Sequence, residues 1–156
     1  MIDLREHSGP ITAFLLAELA RFGQEHPDVP SPHVALYCCP WSGWVSLCLN
    51  RTGEIEQNCP DFEFVEFALY EAPVWAKQYE SEERLTVVDS AGLRHEVDVE
   101  AEGDELLNGL FFAFLADLLA APRVLASLNA ANLRPTRFGV QLLDSEYGST
   151  WEAGER

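Results

Sequence analysis

At 156 residues the chain has the length of one ordinary domain, and with 47% apolar and 23% charged residues it has the composition of a folded protein, not a disordered one. Twenty-six Asp and Glu against ten Lys and Arg give a formal net charge of −16. That balance excludes nucleic-acid binding, which draws on clustered Lys and Arg for phosphate contacts, and it opposes anionic membrane surfaces.

Met1 is followed by Asp3, Arg5, Glu6 and His7 rather than by the apolar run of a signal peptide. The longest apolar stretch, Leu106–Ala121, is interrupted by Asn108, Gly109 and Asp117 and is short for a bilayer. The expectation is a cytoplasmic protein without a membrane segment. No repeat, low-complexity tract or linker divides the sequence, so residues 1–156 are read as a single domain with a loose tail from about Tyr147.

The first helix is predicted from about Pro10 to Phe22, with Ser8 as its cap, Pro10 in its first turn and Gly23 as its stop. Ile11, Phe14, Leu15, Leu19 and Phe22 form its apolar stripe. His33–Asn50 reads as a hairpin around Pro40-Trp41-Ser42-Gly43, a loop that sets Cys39 opposite Trp44. One face then carries Val34, Leu36, Cys38, Val45, Leu47 and Leu49. The other carries His33, Ala35, Tyr37, Cys39, Trp44, Ser46, Cys48 and Asn50, a thiol-bearing and aromatic face that is either covered by a helix or open to a partner.

A short strand is expected near Ile55. Phe62–Phe67 reads as an extended or short helical piece, and Pro73–Glu83 as a short helix or loop with Trp75 and Tyr79 at helical spacing. A second hairpin joins Leu85–Asp89 to Leu93–Val99 through Ser90-Ala91-Gly92. The longest helix runs from Asp104 to about Ala121, apolar nearly all round, and so must be covered on several sides or form a subunit interface. Pro122 opens another helix to about Ala131, and Phe138, Val140 and Leu142 mark a last strand. Together these pieces predict an α+β fold: an antiparallel sheet of about five to six strands with three or more helices packed mainly on one face.

The chemistry-bearing residues do not assemble into a recognisable motif. Cys38 and Cys39 are adjacent on a strand and point to opposite faces, whereas structural zinc sites space their close ligands by two to four residues. Cys48, opposite Ala35, lies four positions from Cys39, roughly 13 Å at about 3.3 Å per residue. All four cysteines, Cys59 included, are read as small buried hydrophobes. A cysteine enzyme built from Cys39 with His33 or His95 is the alternative, but no nucleophile motif marks it. Asp144–Gly148 lacks the ligand spacing of a calcium loop, and no glycine-rich phosphate loop is present. No cofactor is expected.

What remains is charge and aromaticity. Met1–Gly53 holds five acidic and three basic residues, Glu54–Glu105 sixteen and three, and Leu106–Arg156 five and four. The middle third therefore carries most of the negative field, which is expected to form one continuous outward-facing patch that steers a basic protein partner. Trp41, Trp44, Trp75, Tyr79, Glu80, Glu82, Glu83, Glu96 and Asp98 are the candidate partner-binding residues, because exposed aromatics beside acid are common in interfaces. A homodimer joined through the Leu106–Leu119 helix is the other expectation.

Val34-Ala35-Leu36-Tyr37 after an amphipathic helix, then Trp75, then Phe138-Gly139-Val140-Gln141-Leu142-Leu143-Asp144 resemble a group of uncharacterised small acidic bacterial α+β proteins of the toxin-immunity type. The resemblance implies a non-enzymatic, immunity-type inhibitor of a basic toxin or effector, and it transfers no catalytic residue.

Overall fold

The computed structural model describes residues 1–52, 58–81, 83–99, 103–143, 145 and 147–156. The expected strand at Ile55, the candidate Glu82, and Asp144 and Glu146 of the rejected calcium loop lie outside the described residues. Over the described residues the fold is mixed α+β, with four α-helices, an antiparallel-dominated sheet of five strands and a smaller sheet of three.

β1 (Ile2–Asp3) leads directly into α1 (Leu4–Glu25). The predicted cap at Ser8 gives way to Asp3, whose carboxylate accepts the Arg5 amide at 3.0 Å. Pro10 then lies inside the helix and removes one backbone donor. Leu4 and Ile11 are both fully buried, and their packing holds the first turns in line across that gap. Gly23 does not stop the helix. It lets α1 approach Ala131, whose Cβ would be 2.9 Å from a Cβ placed on Gly23.

β2 (His33–Cys39) and β3 (Trp44–Asn50) pair as expected, from His33 opposite Asn50 to Cys39 opposite Trp44. The connection is a single 3-10 turn at Pro40–Ser42 closed by Gly43 in the left-handed region. β4 (Phe64–Glu71) pairs with β3 and is longer than the predicted Phe62–Phe67 piece. It contains a bulge, with Glu66 at φ 50°, where only glycine sits without strain. α2 (Pro73–Ser81) follows, then the predicted hairpin of β5 (Arg84–Val88) and β6 (Arg94–Asp98). Asp89 shapes its turn by accepting the amides of Ala91 and Leu93, both at 2.9 Å.

α3 (Gly103–Leu119) and α4 (Pro122–Ala130) precede β7 (Arg137–Leu142), which lies parallel to β2. The predicted loose tail is instead β8 (Tyr147–Glu152), paired with β7. The strand orders are β4-β3-β2-β7-β8 and β1-β5-β6, so among the described residues β4 and β6 are both edge strands. The Val34–Leu49 face of the hairpin shares one core with α1, α3 and α4. Leu107, Phe111, Leu115 and Leu119 are buried there, and Leu106 is the large apolar residue α3 leaves exposed. That burial places most of the described apolar surface of the helix inside the chain. Among the described residues no single helix is long and apolar enough to cross a membrane; α3 and α4 reach that length only as a pair bent by 53°.

Candidate functional site

The second face of the hairpin is covered, among the described residues, by a 3-10 turn in place of the expected α-helix. A 3-10 turn at Cys59–Asp61, with Phe62 behind it, lies over Ala35, Tyr37 and Cys48, and Tyr147 packs beside them. Gly139 makes room for that tyrosine, since a Cβ there would fall 2.5 Å from the ring. The covering turn is tied down where the Cys59 amide donates to the Gln141 side chain at 2.8 Å.

Under this cover runs a chain of polar contacts. The His33 ring is tilted against Phe62 with centroids 4.5 Å apart, and lies 5.7 Å from that of Tyr147 at an interplanar angle of 29°. The Tyr147 hydroxyl is 3.5 Å from His33 Nε2 and 3.6 Å from Cys59 Sγ. Cys59 shares this buried cluster with the Cys48 sulfur. Ser46 Oγ lies 3.9 Å from the same sulfur. Burial, with the Arg137 guanidinium nearby, holds the His33 imidazole down at about 4. The same burial pushes Cys59 and Tyr147 up.

Sequence reading did not find this constellation. It looked instead to Cys39 with His33 or His95. Cys39 and His33 are at opposite ends of β2, about 20 Å apart at ~3.3 Å per residue. His95 belongs to the other sheet, where it meets Asp89 at 2.9 Å. Neither pair is brought together. Among the described residues no group of three His, Cys, Asp or Glu is placed to hold a metal ion.

The aromatic candidates separate by burial. Trp41, in the turn between β2 and β3, is 39% exposed. Trp44 is half-buried with its ring 5.5 Å from Tyr37. Trp75 is corrected: it is fully buried, packed edge-on against Phe111 at 4.9 Å and beside His7 at 5.0 Å, so its ring fills the core and meets no partner. Tyr79, half-buried, packs against the same core.

The carboxylates of the middle third are divided between two sheets. Glu80 and Glu83 are exposed around the end of α2. Glu96 is exposed on β6 and accepts the Thr86 hydroxyl at 2.8 Å, while half-buried Asp98 is the register partner of Arg84. Arg84 and Arg94 are exposed among the acid on this sheet. A second strip lies along β4, where Glu63, Glu66 and Glu71 are exposed together with Val65 and Leu69.

The backbone of β4 adds to that strip. The Ala72 amide donates to the Gly43 carbonyl at 2.6 Å, continuing the β3–β4 ladder one step past the pair of Trp44 and Glu71. Bonded and non-bonded pairs alternate along an antiparallel ladder. Ala68 and Tyr70 therefore bond inward to β3, and the N–H and C=O groups of Leu69 and Glu71 face outward. Among the described residues no strand takes them up. The Phe67 carbonyl, in the same outward set, accepts from Arg21 at 3.2 Å.

Compared with known proteins, the chain matches no family model, no curated protein and no solved structure.

Proposed function

We propose that the chain is a cytoplasmic, non-enzymatic binding domain that takes a basic protein partner along the edge of β4. The observation that carries this is the outward backbone of Leu69 and Glu71 at a sheet edge flanked by Glu63, Glu66 and Glu71. An extended segment that pairs with such an edge gains main-chain hydrogen bonds, while carboxylates on either side select Lys and Arg in the incoming strand. Val65 and Leu69, 39% and 49% exposed, supply apolar contact between the charges, and Trp41 stands in the neighbouring turn.

Charge also decides against self-pairing. Two copies meeting edge to edge would bring the glutamates of β4 close to one another, which is one way proteins keep exposed edges from aggregating. A partner of opposite sign meets no such barrier. An immunity-type inhibitor of a basic toxin, the role implied by the resemblance, is one form this activity takes.

The test uses a synthetic peptide of alternating lysine and valine, titrated by tryptophan fluorescence at low and high salt. Binding is expected at low salt and should weaken steeply as salt rises. Leu69→Pro removes an outward N–H that no described strand uses, so the variant should fold and lose binding. Undiminished binding by Leu69→Pro, or the same affinity at both salt concentrations, refutes the proposal.

A further inference from the structure

A side chain of α1 lies across one end of the β4 edge. Arg21 is exposed on the helix, and its Nη2 donates to the outward Phe67 carbonyl at 3.2 Å. Its guanidinium carbon stands 4.1 Å from the centre of the Phe67 ring. The other two nitrogens are engaged as well: Nε donates to Glu18 at 2.7 Å and Nη1 to Glu25 at 3.2 Å. The bulge at Glu66 immediately precedes Phe67, whose ring packs edge-on against Phe22 of α1 at 5.0 Å. At the other end of the edge the Ala72 amide turns inward to Gly43, and Pro73 opens α2. Between these ends lie Leu69 and Glu71, the outward residues that no described strand takes up.

We infer that Arg21 is the stop that limits the length of the segment docked on β4, confining its main-chain pairing to the stretch between Phe67 and Ala72. The inference rests on the reading of β4 as the docking edge, and it adds the form of the partner: a basic segment that is extended over only about four residues, roughly 13 Å at ~3.3 Å per residue. Arg21 is thus a specificity-determining residue, selecting short extended segments over long strands.

The chemistry of the contact explains why the strand ends there. To pair with Phe67, an incoming chain must displace a hydrogen bond from a charged donor and a cation–π contact, and it replaces them with one neutral main-chain bond. Any single contact of an exposed arginine is weak, but three acceptors and a ring hold this guanidinium in one place.

The experiment compares two capped peptides by tryptophan fluorescence at low salt. One is an alternating lysine–valine hexapeptide; the other carries three further threonines at each end, which add strand length and no charge. Arg21→Ala frees the Phe67 carbonyl, and Arg94→Ala on β6 removes the same charge away from β4. Wild type and Arg94→Ala should bind the two peptides within a factor of about two of each other, whereas Arg21→Ala should bind the longer one about three- to tenfold more tightly, the gain of one main-chain hydrogen bond. A longer peptide that tightens on the wild type or on Arg94→Ala as much as on Arg21→Ala, or that gains nothing on Arg21→Ala, overturns the stop and leaves docking along β4 standing. Absence of binding by both peptides to the wild type overturns both readings.

Discussion

Trp151 lies flat against Phe138, with ring centroids 5.5 Å apart and planes 14° from parallel. The two residues are register partners on β8 and β7, and Trp151 is only 7% exposed, so the chain's last strand contributes a large apolar side chain to the core. Trp151→Ala should cost about 3–5 kcal/mol of stability, the usual range for deleting a buried large aromatic. Urea unfolding of the variant measures this directly. A change below about 1 kcal/mol would mean that the tail contributes little to the fold.

Two glycines of α1 should respond to alanine with opposite signs. Gly9 is exposed, and apart from its chain neighbours a Cβ there meets nothing within 4 Å, so Gly9→Ala should stabilise by less than about 0.5 kcal/mol, the helix-propensity gain being reduced by crowding of the new Cβ against the Pro10 ring. Gly23→Ala places a Cβ 3.0 Å from the Ala131 backbone, and overpacking of this kind typically costs about 1–3 kcal/mol. Thermal melts of the two variants against the wild type check the pair. Stabilisation by both would show that α1 and α4 do not approach as closely as described.

His33 gives the fold a pH dependence with a definite sign. Its imidazole sits at about 4 in the folded chain, against about 6.5 when unfolded, so the unfolded state binds the proton first as pH falls. Its contribution to stability is complete above about pH 6.5 and is lost progressively towards pH 4, roughly 2–3 kcal/mol over that window. Urea midpoints at pH 7 and pH 4.5 should therefore converge in His33→Gln relative to the wild type, because glutamine does not titrate. An equal drop in both proteins would assign the acid sensitivity to other groups.

Much of the fold was legible in the sequence where local pattern and tertiary environment agree. The strict alternation of His33–Asn50 about a short Pro-Gly loop fixes a register in which a slip of one residue would turn every apolar side chain to the wrong face, and β2 and β3 pair in that register. Where the two disagree, local signals mislead. Ser8, Gly9 and Pro10 look like a helix start, yet Asp3 caps α1 and the buried Leu4 carries the helix through the proline. Tyr147–Glu152 is polar with two apolar rings, and it becomes a strand because β7 offers an edge and Phe138 a stacking surface. The thiol chain was illegible for the same reason. Cys48, Cys59 and Tyr147 come together only through a covering turn and a strand that no periodicity announces, although Gly139, beneath the Tyr147 ring, is a residue whose small size matters there.

The most direct test is amide hydrogen exchange of the chain alone and with the alternating lysine–valine peptide at low salt. In the free protein the Leu69 and Glu71 amides should exchange fast while those of Ala68 and Tyr70, bonded to β3, are protected. Peptide binding should slow Leu69 and Glu71 selectively. Peptide binding with protection confined to β6 or to the helices, and none gained at Leu69 and Glu71, would contradict docking along β4.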